Sequence, residues 1–576
     1  MLDMEEILLH VGKLGKFQIG IIALCCYASF VLGMPIVQGT FVYRIPFRCI
    51  IPSCDMDNST YNMEFLNFTI PNDDGIYAEC QMYLSLANDS CEPQDFNSSA
   101  TVGCSNWVYN TTIFSSTTVT EFDLVCEKAW LRPMSQSAYM VGMLIGGITI
   151  GDLSDRFGRR IGISLAILLF SGGGIACTFV QDYIVFLVMR MITGAGGVSM
   201  FLLIFILAVE FVGKDLRTPI GILVQLPFSL GEATVGFLAI GIRDWRWLQL
   251  AITAPAILLL PYLWLMPESV RWLVSKGRNE EAMIIIHRVA RVNNVVIPQH
   301  LLGEKDQLEK NNEIHCIPQK DSRDLDPSNI QQKISTNEKK QHTISFLDIL
   351  RRKNMRRRTF ILFFSWIAIN LGNWGLDFNS GNLSGNIFVN FILIMLVELP
   401  SNAFMWLSLD RLGRKGSLSF TMILGGICCL VSGFIPEDMN SVMVGFNLVG
   451  KFGIASAFGI AYIYSAELFP TEYRSLGIGA CSTMGRIGGI IAAPTAALAS
   501  VYGPLPLVVF GVVATVAGAM VLLLPETYGS ELPQTLDQSD TFGRDQNVLY
   551  FTCCDNQEVL EHIDHGTPNA GYENEA

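Results

Sequence analysis

Six ionisable side chains stand where charge is costly. Arg190, Glu232, Glu398, Lys451 and Arg486 interrupt long apolar runs, and Asp377 lies near the end of another. Inside a membrane-crossing helix, such a group costs about 2.5–3.5 kcal/mol on insertion scales, so it faces a partner, a wet cavity or a bound ion. The chemistry on offer is ion recognition, with a guanidinium or ammonium for a carboxylate and a carboxylate for a cation. Trp366 and Trp374, and Phe458 and Tyr462, add aromatic faces at helical spacing that attract a flat or quaternary cation. At ~1.5 Å per residue, Glu398, Lys451 and Arg486 each fall ~15 Å from the ends of their runs, about the middle of a bilayer. The plainer reading of Glu398, Lys451 and Arg486 is a buried ion network. Arg190, nearer an end, reads as a structural tie. Glu232 either faces a cavity or snorkels outward, and packing is the simplest role for any one aromatic.

These residues need a scaffold, and composition points to a membrane. Half of the 576 residues are apolar and 16% are charged. A net charge of -13 disfavours nucleic acid as a partner. Runs of about 20 apolar residues predict spans at 17–43, 133–153, 161–180, 184–209, 218–242, 247–267, 359–376, 387–409, 417–436, 441–466, 475–500 and 501–524. The expected fold is an all-α polytopic membrane protein with twelve transmembrane helices. Its segments are an N-terminus (1–16), helix one (17–43), a first loop (44–132), helices two to six (133–267), a second loop (268–358), helices seven to twelve (359–524) and a tail (525–576). The acidic, turn-rich tail reads as disordered. The stretch 279–292 reads as an amphipathic helix bracing the first half.

Basic residues orient the chain. Arg156, Arg159 and Arg160 follow span two, Arg411, Arg414 and Lys415 follow span eight, and RRKNMRRR (351–358) abuts span seven. The positive-inside rule puts these on the cytoplasmic side, with both termini. The first loop is then extracellular. It holds Cys49, Cys54, Cys80, Cys91, Cys104 and Cys126, and sequons at Asn58, Asn67, Asn88, Asn97 and Asn110. Disulfides and N-glycans both belong to that side. Six cysteines allow 15 pairings, and all stay open.

The chain repeats itself. Asp155, Arg156, Gly158 and Arg159 in GDLSDRFGRR match Asp410, Arg411, Gly413 and Arg414 in LSLDRLGRKG. Glu210 and Arg217 match Glu467 and Arg474, and Glu268 of MPES matches Glu526 of LPET. The offsets are 255, 257 and 258. Two pseudo-symmetric six-helix bundles in parallel orientation follow, a plan suited to halves that rock about a central site. The twelve charged residues read as a cytoplasmic gating network, because Asp155 and Asp410 add nothing to a positive-inside signal.

G-x-x-x-D-R-x-G-R-R at 151–160 is similar to the loop signature of the major facilitator superfamily. TVTEFDLVCEKAWL (118–131), IRDWRWLQL (242–250), PESVRWL (267–273), NLSGN (382–386), VELP (397–400), GKFG (450–453) and SAELFPTEYRSLG (465–477) resemble segments of the organic cation, organic anion and carnitine transporter family. The resemblance covers residues 10–530, with departures at Val270, where the family usually has Pro, and at Asp377. It implies a plasma-membrane secondary transporter for small organic ions, with Trp366, Phe458 and Tyr462 along the substrate path. The position of Arg486 is typically an acid in the cation branch and Arg in the anion and carnitine-type branches. Asn402 stands where the anion branch tends to carry Lys. Asp377, Glu398, Lys451 and Arg486 complete the candidate substrate site, and a carnitine-like zwitterion satisfies most of them, with an organic cation next. Organic anion transport and a transport-inactive receptor of the same fold are the alternatives. A sugar porter shares the loop signature but generally has a short first external loop.

An enzyme is not expected. The chain has no G-x-x-x-x-G-K-[ST], H-E-x-x-H or G-x-S-x-G, and no cofactor or metal is implied. The expected partners are the small organic ion, the lipid bilayer and a coupled ion, sodium or proton.

Overall fold

The computed structural model describes residues 14–37, 45–55, 60–73, 76–86, 90–213, 216–296, 346–383, 385–530, 533–544 and 546. Among these, eleven helices are long and apolar enough to cross a membrane. Spans one to six are Lys16–Val37, Met134–Phe157, Arg159–Phe179, Tyr183–Glu210, Arg217–Gly241 and Trp245–Leu265. Spans seven to eleven are Lys353–Asn379, Ile387–Leu412, Arg414–Gly433, Asn440–Leu468 and Arg474–Ala497. The twelfth, Leu505–Val521, is apolar but only 17 residues long. Span seven starts at Lys353 rather than 359 because its Arg, Lys and Met residues are good helix formers.

The described chain forms two compact units. Among the described residues, unit 1 holds those up to 296 together with 374–396 and 489–506; unit 2 holds those of 346–373, 397–488 and 507–546. The division does not fall at the repeat boundary. The ends of spans seven, eight and eleven nearest the cysteine-rich loop belong to unit 1.

Close backbone approach builds unit 1. A Cβ on Gly142 would stand 1.9 Å from the Met191 carbonyl oxygen, and one on Gly146 would stand 2.3 Å from that of Ala195. Spans two and four therefore touch backbone to backbone, the contact on which helix association in lipid relies. Ser137 Oγ donates to Ile490 O at 2.9 Å, and Asn382 Nδ2 to Ala496 O at 3.3 Å. Beyond span six, the helix Asn279–Asn293 buries Ala282, Ile286, Val289 and Ala290 in the core of the first six spans. Its Asn293 accepts from Phe17 N at 3.0 Å and donates to Gln18 Oε1 at 2.8 Å, pinning the start of span one.

The first loop carries three two-stranded antiparallel sheets, pairing 47–49 with 107–109, 72–73 with 76–77, and 81–85 with 96–103. Cys49 pairs with Cys104, Cys54 with Cys91 and Cys80 with Cys126. Asn67, Asn97 and Asn110 lie in this loop. Asn58 and Asn88 lie outside the described residues. Under the sheets, Arg48 and Asp55, each 2% exposed, form a two-point ion pair at 2.7 and 2.8 Å. Arg48 also donates to Tyr61 O, Cys49 O and Thr60 O. Breaking such a buried pair from one side costs about 3–5 kcal/mol. Arg48→Met is therefore expected to unfold the loop and retain the chain before the cell surface, as read by surface biotinylation. Nearby, burial and a hydrogen bond to Asp123 raise the Tyr109 phenol above its ordinary range.

In unit 2 the tail corrects the expectation of disorder for its described part. Leu536–Thr541 is a helical turn begun by a Thr535–Gln538 capping box. Arg358 donates to Ser539 O and Phe542 O, Asp540 accepts from Asn354 N at 3.1 Å, and Arg352 meets Asp537 at 2.6 Å. The acids that suggest a solvated tail find basic partners at the start of span seven.

Candidate functional site

Unit 2 brings most of the candidate binding residues together. Span eight breaks at Val397, between Ile387–Leu396 and Glu398–Leu412. Pro400 has no N–H for the Leu396 carbonyl, so the helix restarts there. Glu398 becomes the first residue of the second segment, where a helix N-terminus favours negative charge. Its Oε1 lies 2.8 Å from Lys451 Nζ, and Lys451 is fully buried. Asn373 Oδ1 accepts from the same ammonium at 2.9 Å, and Asn373 O at 3.3 Å. Glu398 and Lys451 thus neutralise each other.

Span eleven lies close on span seven. A Cβ at Gly488 would stand 2.2 Å from Ile367 O, and one at Gly485 would stand 3.1 Å from the Trp366 ring. Arg486, between them, is half-buried, and its guanidinium takes part in no hydrogen bond or ion pair among the described residues. Tyr462 is its electrostatic neighbour. Trp366 is buried and donates to Ser465 Oγ at 3.0 Å. Its ring centroid is 4.4 Å from that of Tyr462 and 6.3 Å from that of Phe458, which itself lies 5.4 Å from Tyr462. Phe458 and Tyr462 are half-buried, so each stays partly accessible. The three rings form one aromatic group, and Arg486 supplies an uncompensated cation beside it.

The other intramembrane charges belong to unit 1. Asp377 is fully buried there. Glu232 is 1% exposed, so it does not snorkel outward. Arg190 donates to Pro35 O at 3.1 Å and to Gln136 Oε1 at 2.9 Å, with its guanidinium carbon 4.8 Å from the Tyr139 ring centre. It ties spans one, two and four together.

The repeated charged motifs form twin caps. Glu268 Oε1 accepts from Arg159 N at 2.7 Å, at the start of span three. Glu526 Oε1 accepts from Arg414 N at 2.9 Å, and its Oε2 from Lys415 N at 3.1 Å, at the start of span nine. Each carboxylate satisfies helix N-terminal donors that otherwise lack partners. Gly158 and Gly413 precede these starts with φ +114° and +73°, a region side chains disfavour. A Cβ on Gly158 would also stand 2.3 Å from Glu268 Oε2.

The side-chain partners differ between halves. Arg414 reaches Glu467 at 3.1 Å, and Asp410 at 4.0 Å. Arg159 pairs with Asp155, while Glu210 Oε2 is buried without a hydrogen bond among the described residues. Arg156 pairs with Asp152 at the surface, and Arg474 reaches Thr471 Oγ1 at 3.5 Å. Arg411 is exposed and Arg217 half-buried. Removing Glu268 takes the acceptor from the N–H groups of Arg159, Arg160 and Ser269, and removing Glu526 takes it from those of Arg414, Lys415, Thr527 and Tyr528; each costs about 1–3 kcal/mol where buried. Glu268→Ala and Glu526→Ala are expected to lower the unfolding temperature in detergent, and the corresponding Gln variants to recover part of the loss.

Sequence reasoning missed Asn373 and Ser465, the partners of Lys451 and Trp366. A polar residue inside an apolar run was their signal, but it does not say which helix faces meet.

Comparison with known proteins places the chain. The family described as "Sugar (and other) transporter" matches residues 96–536. The chain is 34% identical to an organic cation transporter protein of Drosophila melanogaster, over 94% of this chain and 95% of that one. It is 32% identical to the organic cation/carnitine transporter 2 of Homo sapiens, over 93% and 94%. In fold it is similar to the xylose transporter XylE from E. coli in a partially occluded inward-open conformation, with TM-score 0.56 and 16% identity, over 90% of this chain and 100% of that one. That likeness shows the fold alone. With the matching family spanning most of its length, the chain belongs to the sugar (and other) transporter family, on the branch that holds these organic cation and carnitine transporters, and is a membrane carrier rather than an enzyme.

Proposed function

We propose that this carrier moves a small organic zwitterion, a quaternary ammonium joined to a carboxylate, across the plasma membrane by alternating access. The observation that carries the reading is Arg486, a half-buried guanidinium with no acidic partner among the described residues. Lys451, by contrast, is already neutralised by Glu398. A planar guanidinium binds a carboxylate in two-point geometry. Phe458 and Tyr462, packed against the buried Trp366, supply the aromatic faces for the ammonium. The relatives, an organic cation transporter and an organic cation/carnitine transporter, support the same class of cargo.

The termini lie in the cytoplasm in this reading, and the disulfide-bonded loop lies outside. The packing of spans seven, eight and eleven inside unit 1 is then what must part for the carrier to open outward. A membrane potential supplies ~2.3 kcal/mol per charge per 100 mV, so it drives a cation inward but not a neutral zwitterion. Accumulation of the zwitterion therefore requires a coupled ion, sodium or proton.

A plain organic cation is the second reading, favoured by the aromatic group taken alone. Uptake by expressing cells of labelled carnitine, a quaternary monocation and a dicarboxylate, each with and without sodium, separates the two. Carnitine uptake exceeding both others is expected. Uptake of the monocation alone overturns the zwitterion assignment.

A further inference from the structure

At the loop-side end of spans five and six, unit 1 holds a groove of about 650 Å³, lined by Ser115, Gly241, Arg243, Asp244, Trp247 and the Leu250–Ala251–Ala254 surface. The volume lies within the range of small-molecule sites, roughly 300–1,000 Å³. Its lining is sorted by polarity. Trp247, Leu250, Ala251 and Ala254 follow one another at helical spacing, so one face of span six forms the apolar wall. Farther along the span Leu258 and Trp264 are exposed as well, as expected of a helix bordered by lipid. Arg243 and Asp244 form the other end, in the connection between the spans.

The polar rim is held in place. Ser115 N donates to Arg243 O at 3.0 Å and Trp245 N to Ser116 O at 3.2 Å, stitching the disulfide-bonded loop to the start of span six. Arg243 donates to Thr112 O at 3.2 Å. One carboxylate oxygen of Asp244 accepts from Arg246 N and Trp247 N. Neither Arg243 nor Asp244 joins an ion pair among the described residues. A guanidinium, a carboxylate and an exposed tryptophan thus share the mouth of an apolar groove at the level where tryptophans meet lipid headgroups.

We propose that this groove binds one phosphatidylcholine molecule of the surrounding bilayer. Arg243 takes the phosphate. Asp244 and the Trp247 ring take the trimethylammonium, which is drawn to an aromatic face and a carboxylate together. An acyl chain lies along Leu250, Ala251 and Ala254, where the two alanines leave room for it. The charge order of the rim fits a zwitterionic headgroup better than an anionic one, because only the former brings an ammonium to meet Asp244 while Arg243 holds the phosphate.

The test is native mass spectrometry of the full chain in detergent, with phosphatidylcholine, phosphatidylglycerol and diacylglycerol of matched acyl chains added in turn. One retained phosphatidylcholine is expected, preferred over phosphatidylglycerol by about tenfold, the size of a cation–π and carboxylate contact to the headgroup. Arg243→Gln is expected to weaken retention about tenfold or more by loss of a charge-assisted hydrogen bond. Ala251→Trp, which fills the groove, is expected to abolish it, and soluble phosphocholine is expected not to compete. Equal retention of all three lipids overturns the proposal, as does undiminished retention in both variants. So does a second copy of the chain appearing in place of the lipid. The lipid preference of the unaltered chain decides the matter even if a variant does not fold.

Discussion

Arg486→Asp abolishes uptake of carboxylate-bearing substrates at unchanged surface expression. The size follows from the chemistry. A two-point guanidinium–carboxylate contact contains two charge-assisted hydrogen bonds, each worth about 1.5–3 kcal/mol. At 1.36 kcal/mol per tenfold, their loss lowers uptake efficiency by about 100-fold or more, and the substituted carboxylate adds repulsion. Arg486→Lys keeps the charge but loses the planar fork, and is expected to retain a few per cent of uptake. Arg486→Gln keeps a polar side chain without charge, and uptake of a quaternary monocation through it is expected to match or exceed that of the unaltered chain. Radiolabelled uptake normalised to surface protein checks all three.

The second large effect concerns Lys451 and Glu398. Lys451→Met removes the ammonium that Glu398 pairs with, and Glu398→Gln removes the carboxylate that lies 2.8 Å from a fully buried ammonium. One-sided removal of a buried partner costs about 3–5 kcal/mol. Each single variant is expected to unfold at markedly lower temperature and to reach the surface poorly. Lys451→Met combined with Glu398→Gln removes both charges and their desolvation penalty, so stability is expected to return. Transport is expected to return with it, because the pair ties span eight to span ten rather than holding the cargo. A stable double variant that does not transport would instead make Glu398 or Lys451 a substrate ligand. Thermal unfolding in detergent and uptake, measured on the same preparations, separate these outcomes.

Much of the architecture was legible because its signals are local. Apolar runs mark the helices, and the repeated D-R-x-G-R motifs mark equivalent turns. The structure supplies the reason for that repeat. Gly158 and Gly413 adopt positive φ, and Glu268 and Glu526 cap the helices that follow. Arg486 and Lys451 stood out for the same local reason, a charge inside an apolar run. Their different surroundings were not legible. Glu398 and Lys451 are more than fifty residues apart in sequence, and nothing in either run says which faces meet. Asp377 sits in the other unit because the loop-side end of span seven packs with the first half, and apolar periodicity does not reveal where a helix changes partners. The cysteine pairs and the Arg48–Asp55 bond depend on how the loop folds back on itself. The tail was misread because composition records its acids but not the arginines that receive them.

If Arg486 receives the substrate carboxylate, its effect and that of the carboxylate are coupled, and a cycle between protein and substrate measures that coupling. Uptake of carnitine and of its methyl ester is measured for the unaltered chain and for Arg486→Gln, each normalised to surface protein. A preference for carnitine of about 100-fold is expected in the unaltered chain, with near-equal uptake of acid and ester in the variant. The same preference for the acid in both proteins would contradict this role of Arg486, placing the carboxylate elsewhere in the carrier.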